Sequence, residues 1–63
     1  MKIIIKLPEV RALTALSRST IYRLILRGKF PKQIKLSERS SGWIKQEVED
    51  YIDQKISDRE AGL

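Results

Sequence analysis

The chain has 63 residues, a net charge of +5, and neither cysteine nor histidine. A chain of that length forms one domain, burying only ~60% of the surface its unfolded form exposes. The missing residue types exclude a disulfide staple, a thiol nucleophile and an ordinary zinc site, and general acid–base work would fall to carboxylates.

In chain order, Ile3 to Leu7 reads as a short extended arm. Pro8 suits the first position of a helix, where its missing N–H costs nothing, and Glu9 favours the positive helix end. The first helix is predicted over about 8–15, with Val10, Leu13 and Ala12 as its apolar stripe. Ser17 is a cap for a second helix over 17–27, with Thr20 three residues on and Ile21, Leu24 and Ile25 at core-facing spacing. Gly28 is the expected left-handed residue past its end, and Pro31 blocks continuation. Only Ala15, Leu16 and Ser17 link the two helices, and so short a link packs them at an angle, as in a helix-turn-helix.

After Pro31 the apolar period shortens. Gln33 to Leu36 and Gly42 to Ile44 read as strands around the polar loop 37–41, making a wing over about 33–44. Strands this short must pack on the helices, and Trp43 is read as a core anchor between strand and helix. A third helix follows over 45–59, with Val48, Tyr51, Ile52 and Ile56 on one face and Glu47, Glu49 and Asp50 near its positive end. Residues 58–63 are expected to fray. The fold class is therefore mainly α: a winged helix-turn-helix of three helices and a short two-stranded hairpin, in a single domain over 1–63.

The charge is polarised along the chain. From Val10 to Lys45 nine lysines and arginines face the single acid Glu38, whereas from Gln46 onward six acids outnumber Lys55 and Arg59. The basic body is the natural surface for a polyanion, and the acidic last helix would point away from it. With Ile21, Leu24 and Ile25 turned inward, Arg18, Ser19, Tyr22 and Arg23 turn outward at the start of the second helix, the part that meets base edges in a major groove. Arginine's planar fork takes both guanine acceptors or grips phosphate, and Ser19 and Thr20 supply hydroxyls beside exposed backbone N–H groups. Arg27, Lys29, Lys32, Lys35 and the wing-tip Arg39 are weaker signals, candidates for backbone contact.

No enzyme fits this inventory. The carboxylates cluster as an ordinary charged helix surface, and three glycines, at 28, 42 and 62, make no phosphate loop. No cofactor, metal or small-molecule ligand is expected. No run approaches the ~20 apolar residues of a membrane span, and Met1 to Lys6 is too short for a signal peptide, so the expected location is the cytoplasm.

Leu7-Pro8-Glu9-Val10, then Leu16 through Ile25, then Gly28-Lys29-Phe30-Pro31-Lys32, Gly42-Trp43 and Glu47-Val48 together resemble the AlpA family of phage-type regulators, over about residues 3–57. The resemblance implies a winged helix related to MerR-like DNA-binding domains and phage excisionases. It implies a regulator of prophage or island genes, or a directionality factor for excision; in the second case several copies are expected to associate on DNA and bend it near an attachment site, with an integrase as partner. By the match, groove reading falls on Arg18, Ser19, Tyr22 and Arg23. Leu26 departs from the family's usual polar residue, and the wing loop is poorer in glycine. The rival from another class is an adaptor or antirepressor presenting Leu26, Ile3 and Ile5 as an apolar surface.

Overall fold

Three helices and three short strands organise residues 1–62, the part of the chain that the computed structural model describes. Their order is β1 (Ile4–Ile5), α1 (Leu7–Thr14), α2 (Arg18–Leu26), β2 (Ile34–Ser37), β3 (Ser40–Ile44) and α3 (Lys45–Glu60). The helical positions match the winged helix-turn-helix expectation to within a residue or two. The first helix starts at Leu7, so that Pro8 is its second residue. The backbone N–H of Lys6 donates to Glu9 Oε2 at 2.9 Å, and this carboxylate satisfies a donor at the helix entrance.

The expected arm is a strand. β1 pairs antiparallel with β3, Ile4 opposite Ile44 and Ile5 opposite Trp43, and Lys45 N–H extends the ladder by donating to the Ile3 carbonyl at 2.8 Å. β3 is thus the centre of a three-stranded sheet of order β1-β3-β2, not one side of a lone hairpin. Two strands of this length would be marginal by themselves, and the third supplies the missing ladder.

The wing is tighter than predicted. Ser37 pairs with Ser40, which leaves only Glu38 and Arg39 as the turn in place of a loop over 37–41. Neither turn residue has a positive φ. A two-residue hairpin without left-handed residues splays its strands relative to their natural twist. The register slips between Lys35 and Ser37, placing an extra residue, Leu36, in β2. Such a bulge adds local twist and offsets the splay.

The core takes residues from nearly every element: Ile5 from β1, Val10 from α1, Ile21 from α2, Phe30 from the connection, Trp43 from β3 and Val48 from α3. Leu7, Leu16, Tyr22, Leu24, Ile25, Tyr51 and Ile52 pack around it. Trp43 is 1% exposed, and its Nε1–H donates to the Pro31 carbonyl at 3.0 Å, as a buried indole requires. The rings of Phe30 and Tyr51 meet edge-on with centroids 4.7 Å apart, fastening the connection after α2 to α3.

Some expected core positions are on the surface. Leu13 and Ile56 are 43% and 45% exposed, and Ala12 is open to solvent. Helical spacing chose the correct faces, but a domain this small lacks the mass to cover their edges. Ile5 lies in the core, which removes it from the apolar surface that an adaptor would have presented. α3 runs through the region expected to fray as far as Glu60; Leu63 lies outside the described residues.

Gly42 shows why the crossing point of the sheet needs a glycine. A Cβ there would stand 2.6 Å from Ile4 Cγ2, 3.0 Å from the Ile5 carbonyl oxygen and 3.2 Å from Leu36 Cδ1. The side chains can give way, but the carbonyl belongs to the paired backbone of β1. Gly42→Ala is expected to lower stability by about 1–3 kcal/mol by overpacking, read as a lower urea midpoint. An unchanged midpoint would mean that Ile4, Leu36 and the β1 backbone make room for the Cβ without cost.

Candidate nucleic-acid interface

The turn between α1 and α2 sets how the second helix is presented. Ala15 closes α1 in the left-handed conformation, φ 60°, with its N–H donating to the Arg11 carbonyl at 2.8 Å. Thr14 Oγ1 donates to the Val10 carbonyl at 2.8 Å and accepts from Leu16 N–H at 3.2 Å, so one hydroxyl ties the helix end to the turn. Ser17 then caps α2: its Oγ accepts from Thr20 N–H at 3.2 Å and donates to Thr20 Oγ1 at 2.9 Å. At the other end Gly28, φ 69°, donates to the Ile25 carbonyl, and Lys29 N–H to that of Leu24. This is the Schellman pattern, with glycine at the position that needs a positive φ.

Between these stops α2 buries Ile21 and half-buries Leu24 and Ile25. Arg18, Ser19, Arg23 and Leu26 are exposed on it, and its first turn carries no acid. The sequence-predicted residues fall into three sets. Arg18, Ser19 and Arg23 stand together on the open face. Thr20 is drawn into the cap, its hydroxyl engaged by Ser17 and approached by Arg23 Nη2 at 3.5 Å. Tyr22 is half-buried, with its ring edge-on to Trp43 at 6.3 Å between centroids and the Arg18 guanidinium 5.7 Å from its own centroid. Tyr22 is thus a platform beneath Arg18, where sequence spacing alone had placed it as a free outward side chain.

Arg27 ends α2, Lys32 lies exposed in the connection, Lys35 sits on β2 opposite Ser41, and Arg39 occupies the wing turn. Among the described residues the one ion pair is Arg59–Glu60 on α3, 2.9 Å apart, so none of these cations is neutralised within the chain. Lys6 had no assigned role from sequence. Lys6 Nζ donates to Ser40 Oγ, bringing its charge beside the wing turn. That link depends on the pairing of β1 with β3, for which the local sequence carries no signal.

The described residues contain no group of three His, Cys, Asp or Glu side chains able to hold a metal ion, and no helix long and apolar enough to cross a membrane.

The fold and the capped, basic second helix define a small winged helix-turn-helix domain. Residues 3–56 match the family of the prophage CP4-57 regulatory protein AlpA, and the chain belongs to that family of phage regulatory proteins. The family is one of regulators, not enzymes. The uncharacterized protein ORF88 of Enterobacteria phage P4 is 41% identical to this chain over 58 residues, covering 92% of the chain and 66% of the relative. The chain therefore spans slightly less than two thirds of that relative's length.

The left-handed Ala15 has a measurable cost, because a Cβ in that conformation crowds the following carbonyl by roughly 1–2 kcal/mol. Ala15→Gly should therefore raise stability by about 1 kcal/mol, since the strain relieved outweighs glycine's extra unfolded entropy. The check is the urea midpoint; a fall would show that the turn conformation is unstrained.

Proposed function

We propose that this protein is a sequence-specific binder of double-stranded DNA that regulates transcription of prophage or genomic-island genes in the bacterial cytoplasm. The observation that carries this reading is the exposed face of α2. Arg18, Ser19 and Arg23 project from a helix capped at Ser17, and among the described residues no carboxylate pairs with either arginine. The helix start offers unpaired N–H groups for phosphate, and the arginine forks suit guanine edges. Arg27, Lys32, Lys35 and Arg39 extend the positive surface along the connection and the wing, where they would hold the duplex backbone. Membership of a phage regulatory family supports the same reading.

The finer alternative is an excision factor whose copies associate on DNA and engage an integrase. Footprinting on the DNA around its own gene separates the two: one protected site over a promoter fits the regulator, and phased repeats beside an attachment site fit the excision factor.

Two measurements test DNA reading itself. Affinity for the preferred duplex should fall steeply with salt, log K against log salt having a slope of roughly −3 to −5, about −0.9 per phosphate neutralised. Arg18→Ala and Arg23→Ala should each cost about 1–3 kcal/mol on that duplex and relax preference at one base position. Equal, weak binding to every duplex tested would overturn the proposal.

A further inference from the structure

Among the described residues, Leu26 is the most exposed large apolar side chain within any helix or strand, at 88%. It lies on α2 seven residues after Ser19, four after Tyr22 and three after Arg23. Residues so spaced share one helix face. Leu26 therefore stands on the stripe that carries the candidate groove-reading residues, one to two turns nearer the helix C-terminus. Recognition helices lying along a major groove use this i, i+3, i+4, i+7 spacing to reach bases. The surroundings argue against a protein-docking patch: Arg23 and Arg27 flank it on α2 and Lys29 follows, all exposed, so no contiguous apolar surface forms.

An apolar side chain among cations on a groove-facing stripe has one apolar feature of the base edges to meet, the C5-methyl group of thymine. We propose that Leu26 is a specificity-determining residue that packs on a thymine methyl in the major groove, at the end of the site facing the C-terminus of α2. The proposal rests on the DNA-reading function above and adds a chemical preference that arginine contacts cannot supply.

The test first selects the preferred duplex from a random library with the full chain. Each thymine in it is then replaced singly by deoxyuridine, which removes the methyl and keeps every hydrogen-bonding group. One replacement should weaken binding of the unsubstituted protein about fourfold, the effect of burying one methyl-sized group. Leu26→Ala should bind the thymine duplex weaker by a similar factor and show no further loss on the uridine duplex. Arg23→Ala, by contrast, should keep the thymine sensitivity. Because Leu26 is exposed, its alanine variant should unfold at an unchanged urea midpoint, and unfolding cannot then mimic the result. Equal uridine effects in the unsubstituted and Leu26→Ala proteins, or no uridine effect anywhere in a preferred duplex, would overturn this inference while leaving DNA reading intact. The absence of any preferred duplex would overturn DNA reading, and this inference with it.

Discussion

The Trp43 indole joins the wing to the second helix, and the remaining geometry depends on that junction. The residue sits on the central strand opposite Ile5, its ring edge meets Tyr22 of α2, and its N–H is satisfied by the Pro31 carbonyl. That carbonyl is free to accept because Pro31 lies in the irregular connection, outside any helix or ladder. An indole N–H buried without an acceptor would cost about 1–3 kcal/mol, so the connection is held against the sheet and α2 keeps a set angle to the wing. Arg18 inherits this order through the Tyr22 ring beneath it.

Charge follows the same division. Among the described residues the cations of α2, the connection and the wing make no ion pair, whereas α3 carries Glu47, Glu49, Asp50, Asp53, Asp58 and Glu60. Two of those acids accept from glutamines one turn away on α3, Gln46 to Asp50 at 2.9 Å and Gln54 to Asp58 at 3.0 Å. These acids are thus supported locally, although Glu47 and Asp50 line the same concavities as Lys29 and Lys32 of the connection. An excess of unpaired cations on α2, the connection and the wing is the kind of charge distribution that speeds and orients encounter with a polyanion.

What was legible in the sequence is what local chemistry decides. Ser17 and Gly28 declared the ends of α2 because a hydroxyl cap and a glycine stop act within a few residues, and Pro8 with Glu9 did the same for α1. Trp43 could be read as core because it stands between a strand and a helix, where an indole more often anchors the core than stacks on a base. Ala15 was illegible as a left-handed residue, since alanine's own preference is for the right-handed helix and tertiary packing overrides it. β1 was illegible as a strand because two isoleucines acquire a ladder only when β3 arrives from far along the chain. Spacing correctly turned Arg18, Ser19 and Arg23 outward. It could not tell that the Tyr22 ring is engaged by Trp43, because that contact links residues distant in sequence.

The pairing of β1 with β3 also bears on how association would be driven. β3 is paired on one side by β1, at Trp43 and Ile44, and on the other by the bulged β2, and Lys6 bonds to Ser40 beside the wing turn. Such a wing has little backbone freedom left to lose. Immobilising a rotamer-rich side chain at an interface costs about 0.5–1.5 kcal/mol, whereas fixing the backbone of a loose loop adds about 1–2 kcal/mol for each residue. A domain of this size has a small contact surface to offer, and a preorganised wing leaves most of the interaction energy of that surface available as affinity.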